Sequence, residues 1–530
     1  MMKMNVINIL SIIINYVYLT NAQQNMDGGS WSNVIPFTLS PTTAGVLPDG
    51  SVLLVSADQP GGYSDEARGT TYIVIKVNDN DSVSVITKNN PSYFNFGQLF
   101  CTGTANLPNG NIFMNGGTAK TDVIEFDWKK KVFNVGPRMR LARGYNSDVV
   151  TTDNKVFTVG GSWPNPMWMP PVDAEIYDGK RWNLANINGK YIAGTLVNNI
   201  KSTSPDPRGG EHESDFHPWL VSYKDNKGNN MVAHLGPVPE MHAFNMNKPG
   251  SVINLGFRGN DKYAMWGNIL QYEPGKIIRL GGNSRDLGPE DAYSTQTSIL
   301  MDITALPNGG KVKVTNLKNM TYPRTYSNSV ILPGGKILII GGQTQAKSFS
   351  DSYSVMIPEL YDPIKNTFKT LAPLQIPRNY HSIALLLPSG KVISAGGNLC
   401  YVDTCDNAHY DGQVYTPYYL QNRLASSRPI ITNVDKNGKA YGLQDKIKVT
   451  TTSCSNNCTY ELIRVSSTTH TVNNDQLRVP LVITNINKNT ATVEIKTNQY
   501  PFIVSGYYML FAINSAGTPS VANMIQIFRN

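Results

Sequence analysis

Apolar runs in this chain come in short pairs split by a glycine-bearing turn, and most pairs end in Gly-Gly. The unit reads LPDGSVLLVSA from Leu47, LPNGNIFMNGG from Leu107, TDNKVFTVGG from Thr152 and YEPGKIIRLGG from Tyr272. It returns as LPGGKILIIGG from Leu332 and LPSGKVISAGG from Leu387, and a degenerate copy, SYKDNKGNNMVAHLG, runs from Ser222 to Gly236, making seven. Each copy predicts a β-hairpin, because its turn is rich in residues that tolerate positive φ. The Gly-Gly ends predict places where strands crowd together near a central axis.

Several copies are followed by an acidic, an apolar and an aromatic residue, as in Glu175-Ile176-Tyr177 and Glu359-Leu360-Tyr361. Gly-Gly followed by such a strand is the kelch pattern, at a period of roughly 50 residues. A blade of this kind cannot bury its own faces, so blades stack radially around a channel. A β-sandwich array is the competing arrangement, which the regular hairpin units disfavour. The pattern stops after Gly397, and from about Arg428 polar and apolar residues alternate, as in Lys446-Ile447-Lys448-Val449 and Thr492-Val493-Glu494-Ile495. That alternation predicts an immunoglobulin-like sandwich. The expected organisation is all-β: a seven-bladed kelch-type β-propeller over residues 23–425, then the β-sandwich over residues 426–530.

Residues 1–22 form a different segment. One charge, Lys3, precedes an apolar stretch from Val6 to Leu19, and small residues close it at Thr20-Asn21-Ala22. This is the layout of a cleaved secretory signal. A membrane anchor is the alternative, but the stretch is short for a bilayer. An exported, extracellular protein is expected, with no membrane partner. Three sequons, at Asn80, Asn319 and Asn457, agree with export and are candidate glycosylation sites. The net charge of +8 is spread over 530 residues with no basic run among aromatics, so nucleic-acid binding is not expected.

Of the five cysteines, Cys400 with Cys405 and Cys454 with Cys458 form two close pairs in loop-like sequence. In an oxidising compartment they read as two local disulfides, with a four-cysteine zinc site as the alternative. Cys101 is left over, and an odd thiol in an exported chain calls for an explanation. Phe100-Cys101-Thr102-Gly103 opens one repeat, and Arg143-Gly144-Tyr145-Asn146-Ser147 opens the next. Equivalent positions on successive blades are neighbours in space, so Cys101 and Tyr145 are expected to meet. Asn379-Tyr380-His381-Ser382 opens the last repeat, and the sandwich supplies Thr469-His470-Thr471-Val472 on an expected hairpin. His212-Glu213-Ser214-Asp215-Phe216-His217 also gathers potential ligands, although without a spacing typical of metal sites. It is better suited to a pocket wall.

Together these motifs resemble the copper-radical oxidases, the family of galactose oxidase and glyoxal oxidase. The matching stretches are FCTG at Cys101, ARGYNS at Tyr145, GGSW at Trp163, NYHSIALLLPSG at Tyr380 and His381, and THTVNNDQLRVPL at His470. SDFHPW, TPYYL and NSAGTPSVA extend the likeness, in the same order along the chain. Each residue alone has an ordinary structural explanation; five dispersed matches in order outweigh it. The resemblance implies one copper ion held by Tyr145, Tyr380, His381 and His470. It implies a thioether joining Cys101 to the ring of Tyr145, which becomes the radical, and Trp163 stacked over that crosslink. It further implies that Tyr380 acts as general base, and that a primary alcohol or simple aldehyde and O2 give the oxidised product and hydrogen peroxide.

The resemblance also has departures. Trp31 follows the leader almost directly, so the extra carbohydrate-binding module of galactose oxidase is not expected here. Glu213 stands where a sugar-holding arginine is expected, and Met356 where an aromatic wall is expected, while Gln343 matches a polar contact. These three are the candidate substrate contacts, and they disfavour galactose itself. The partners expected are a small alcohol, aldehyde or carbohydrate and O2, bound by a monomer. A non-catalytic kelch propeller that binds glycans or proteins is the alternative, and it gives no reason to keep the five copper-site residues.

Overall fold

The structure, a computed structural model, describes residues 28–57, 59, 62–63, 69–89, 99–119, 121–161, 174–184, 186–187, 190–191, 217–248, 251–261, 263–283, 292–401, 407–436, 438–454 and 457–529. Seven antiparallel sheets are arranged as blades, and the seven hairpins of the repeat each join the two inner strands of one blade. The inner strands are Thr43–Val46, Gly103–Asn106, Ser147–Val150, Leu220–Lys224, Asn268–Glu273, Asn328–Ile331 and Ser382–Leu386. The seven-bladed propeller expected from the repeat is therefore present. Runs such as Val52–Val55 (VLLV) and Ile337–Ile340 (ILII) are buried along their whole length, as strands packed on both faces must be. At about 25 cal/mol per Å² of apolar surface, such burial between blades is the main stabilising term.

Two strands come to the propeller from far along the chain. Ser30–Trp31 pairs with Asp411–Thr416 as the outermost strand of blade seven, so the two ends of the propeller segment close the ring. Ser467–Thr469 adds to the inner edge of blade one, in register Thr43↔Thr469, Ala44↔Thr468 and Gly45↔Ser467. This second strand belongs to the C-terminal domain. That domain is a seven-stranded sheet folded on itself, in which Arg478–Asn487 pairs first with Thr459–Arg464 and then with Thr490–Ile495. A bridge from Tyr441 to Ile527 almost closes it. The expected β-sandwich is thus present in a nearly closed form.

The reason for the Gly-Gly ends and the acidic triplets lies in a repeated buried arginine. Arg324, wholly buried, donates to the Gly341 carbonyl at 2.7 Å and to Glu359 at 2.9 Å. Glu359 also accepts the backbone N–H of Thr321. Arg143 repeats the pattern with Gly160 and Glu175, and Arg378 with Gly396 and Asp411. The backbone of the same arginine reaches the preceding blade: Gly342 N–H donates to Arg378 C=O, Gly282 to Arg324 and Gly117 to Arg143. Gly341 has φ of +68°, and a Cβ there would run into the Arg378 carbonyl, so a side chain is excluded both by conformation and by space.

Cys454 and Cys458 are joined by a disulfide. Cys400 is also disulfide-bonded, and Cys405, its expected partner, lies outside the described residues, as do residues 1–22. Asn80, Asn319 and Asn457 are all exposed. No helix among the described residues is long and apolar enough to cross a membrane.

Removing one member of a buried ion pair strands the other. Glu359→Gln is therefore expected to destabilise the propeller by about 3–5 kcal/mol, read as a lowered unfolding midpoint, with no such loss for a surface change such as Lys365→Gln.

Candidate metal centre

The site is built from one structural position used again and again. Cys101, Tyr145, Trp266 and Tyr326 each stand two residues before the inner strand of their blade, and all four have φ between 57° and 63°. His217 and His381, with φ of 48° and 68°, open blades four and seven. Left-handed backbone is uncommon for bulky residues and clusters at functional sites. Here it is held by backbone hydrogen bonds between blades: Tyr145 N–H to Cys101 C=O (2.9 Å), His217 N–H to Tyr145 C=O (2.6 Å) and Tyr326 N–H to Trp266 C=O (3.1 Å). These bonds turn the side chains toward one end of the channel.

His470 reaches the same place from the C-terminal domain, on the hairpin that continues Ser467–Thr469. That hairpin is tied to several blades. Arg464 pairs with Asp475, which accepts from Asn106 of blade two. Asn474 donates to the Asp148 carbonyl of blade three, Gln476 to Ser329 of blade six, and Asn268 of blade five donates to Thr471 C=O. His470 is wholly buried with its ring set before anything binds it.

Ligand-capable atoms of Cys101, His381 and His470 lie within 4.8 Å of one another. The His381 Nδ1 contacts the Leu399 carbonyl at 2.6 Å, and the His470 Nδ1 contacts Thr469 Oγ1 at 2.7 Å. Thr469 Oγ1 is in turn 3.0 Å from Thr43 Oγ1 of blade one. The Nε2 atoms of both histidines are buried and have no partner. A buried polar atom without a partner is costly, and second-shell bonds at Nδ1 that leave Nε2 bare are how ligating histidines are oriented. Beside them the hydroxyls of Tyr145 and Tyr380 are 2.9 Å apart. The Cys101 thiol and the Tyr145 hydroxyl are also hydrogen-bonded to each other.

Electrostatics point the same way. Burial holds His381 down at about 3 and His470 well below the ordinary imidazole range, so both are neutral and able to ligate. Burial, reinforced by Cys101, raises both tyrosines well above the usual phenol value; Tyr380 adds to the rise at Tyr145, whereas the hydrogen bond with Tyr145 opposes it at Tyr380. Burial likewise raises the Cys101 thiol. Thiol, two phenols and two bare imidazole nitrogens form a cluster of metal-ligating atoms that a divalent cation would stabilise. Imidazole with phenolate suits copper(II).

The structure thus brings Cys101, Tyr145, Tyr380, His381 and His470 together. Trp163 and Glu213 lie outside the described residues. Gln343 is buried with its amide fully used: it donates to the Ser350 and Ser352 carbonyls and accepts from Lys347 N–H, fixing the loop that carries Phe349. Met356 packs on the main propeller core, apart from the cluster around Tyr380. His217, the last residue of the ligand-rich hexapeptide, stacks on His470 at 4.8 Å and meets Tyr145 edge-on at 5.1 Å. Sequence reasoning missed Trp266, 5.3 Å from the ring of Tyr380, and Tyr326, 4.8 Å from it. Their signal was available, since both occupy the frame of Cys101 and Tyr145.

Comparison with known proteins agrees with this arrangement. The family model described as galactose oxidase-like, early set domain, matches residues 428–527, and that described as glyoxal oxidase N-terminus matches residues 271–419. Galactose oxidase from Gibberella zeae is 32% identical over 510 residues, spanning 94% of this chain and 70% of its own. Aldehyde oxidase GLOX1 from Arabidopsis thaliana is 31% identical over 281 residues, 48% of this chain and 44% of its own. The solved structure of a fungal alcohol oxidase in complex with copper superposes with a TM-score of 0.80 at 29% identity, covering 94% of this chain and 99% of that one. Kinship along nearly the whole chain, on the same propeller and sandwich, makes this protein a member of the galactose oxidase family of copper-radical oxidases.

Proposed function

We propose that the protein is an extracellular oxidase that converts a primary alcohol, or a simple aldehyde, and O2 to the oxidised product and hydrogen peroxide. The observation that carries this reading is the meeting of two partnerless Nε2 atoms, from His381 and His470, with a thiol and two phenols in one buried cluster. His381, His470, Tyr145 and Tyr380 would hold one copper ion, and Cys101 would be joined to the Tyr145 ring by a thioether. Copper, when bound, accepts one of the two electrons that alcohol oxidation releases.

The residues divide the remaining work. Tyr380 Oη takes the hydroxyl proton of the alcohol as general base. The Tyr145 phenoxyl takes a hydrogen atom, one proton and one electron, from the substrate carbon. Dioxygen then receives two electrons and two protons and leaves as hydrogen peroxide, which restores the starting state. Thioether substitution lowers the cost of oxidising the Tyr145 ring, and Trp163 shields it. Thr469 positions His470 by occupying its Nδ1 side, and Thr43 holds Thr469 in place by donating to its hydroxyl. Export through the segment 1–22 would place the enzyme where the disulfides persist.

Copper loading in air tests the reading. The Cys101 and Tyr145 peptides should be recovered joined, two hydrogens lighter than their sum, with faster gel migration that Cys101→Ser abolishes. Free thiol and free phenol after loading would defeat it. Tyr380→Phe should keep the crosslink yet lose about 10²–10⁴-fold in kcat, measured by peroxide release. Thr469→Val should weaken copper binding about 10–100-fold in a competition titration with a chelator, while Thr469→Ser retains it.

A further inference from the structure

We propose that the site selects flat, apolar primary alcohols of the aryl-carbinol type, and that Trp266 sets this selectivity. The proposal rests on the copper-radical reading for its chemistry, and on the shape and polarity of the mouth for its substrate. Tyr380, His381 and His470 are buried, as are Tyr326, Ala292 and Ala346 behind them. Among the described residues packed around the two phenols, surface remains at Tyr145, Trp266 and Phe349, and at Tyr63 beyond Phe100. A substrate reaching the Tyr145–Tyr380 pair along this side passes between aromatic rings.

Trp266 is the centre of that frame. Its ring lies 5.9 Å from Tyr145, 5.3 Å from Tyr380, 5.5 Å from Tyr326 and 5.9 Å from His217. It therefore touches both phenols while keeping part of its surface exposed. Phe349 stands on the other flank, 5.4 Å from Tyr380 and 5.7 Å from His381. Edge-on contacts at these distances suit a further ring inserted beside them. The left-handed backbone of Trp266, whose carbonyl accepts from Tyr326 N–H, fixes the indole in advance, so little ordering is left to binding.

Among the described residues, the amides and hydroxyls on the loop that carries Phe349 are largely engaged within the wall, while Asn379 Oδ1 and the ring nitrogens of His217 keep no partner. Gln343 holds Ser350, Ser352 and Lys347, and Asn379 donates to the Ser350 carbonyl and to Ser354. The Tyr326 hydroxyl is bonded to Ser348, and Asp351 to Asn398 and His409. A hexose bringing several hydroxyls would lose water with few of these groups left to replace it. An aryl carbinol brings one hydroxyl, for Tyr380, and a ring that matches the frame.

Wild type, Trp266→Ala and Trp266→Phe, each loaded with copper, are compared on benzyl alcohol, 1-butanol and galactose by peroxide release. Binding of benzyl alcohol is measured alongside by anaerobic equilibrium dialysis. Wild type should prefer benzyl alcohol to both others. The benzyl-to-butanol ratio in kcat/KM should fall about 30-fold in Trp266→Ala, the effect of truncating an aromatic anchor, and be largely kept in Trp266→Phe. A ratio does not move with a general loss of active sites, so it separates selectivity from damage. Galactose equal to or better than benzyl alcohol, or a ratio unchanged in Trp266→Ala, overturns the proposal. Should no alcohol yield peroxide and no crosslink form, the oxidase reading fails by itself. Dialysis then decides the pocket: saturable binding lost in Trp266→Ala sustains it, and no saturable binding overturns it.

Discussion

Everything at the copper site depends on a set of backbone hydrogen bonds that link one blade to the next. A bulky residue at positive φ costs about 1–3 kcal/mol, and this chain accepts that cost at Cys101, Tyr145, His217, Trp266, Tyr326 and His381. What holds them is the succession of N–H to C=O bonds from Tyr145 to Cys101, from His217 to Tyr145 and from Tyr326 to Trp266. The buried arginines set the frame for these bonds. Arg143, Arg324 and Arg378 each sit two residues before a tyrosine of the cluster and join it to the Gly-Gly ends of their own and the preceding blade. Stability and site geometry are consequently inseparable here. The ion pair that anchors a blade also aims a ring.

A metal centre made this way is rigid before any metal arrives. Both imidazoles have their Nδ1 sides occupied, one by a carbonyl and one by a hydroxyl. Burial keeps them neutral and keeps the phenols and thiol protonated. A bound cation would reverse the second condition without disturbing the first. It would stabilise phenolate and thiolate where burial had opposed them, and it would find the imidazoles already in their ligating form.

Much of this was legible in the sequence because it is periodic. The Gly-turn and Gly-Gly signals recur in every blade, so blade number and the neighbourhood of Cys101 and Tyr145 follow from spacing alone. The resemblance then supplied the roles of Tyr380, His381 and His470. Trp266 and Tyr326 stand in the same place before their inner strands as Cys101 and Tyr145, but an aromatic ring there is equally explained by core packing, and no motif set these two apart. The pairing of Ser467–Thr469 with Thr43–Val46 left no local trace at all. It joins segments more than four hundred residues apart, and periodicity is silent about contacts of that range. Met356 and Gln343 show the opposite limit. The resemblance made them candidate substrate contacts; Met356 packs on the main core, and Gln343 spends its amide on the loop that brings Phe349 to Tyr380.

The strand Ser467–Thr469 also dictates an order of events during synthesis. Blade one emerges early from the ribosome, but its inner edge waits for a partner from near the end of the chain. Blade seven waits in the opposite sense, for Ser30–Trp31, which by then has long been made. His470 therefore joins the other donors only when almost the whole polypeptide exists. An unfinished or truncated product carries the thiol and the phenols without the complete set of ligands. On the copper-radical reading, redox chemistry would be withheld from the nascent chain until the fold is complete.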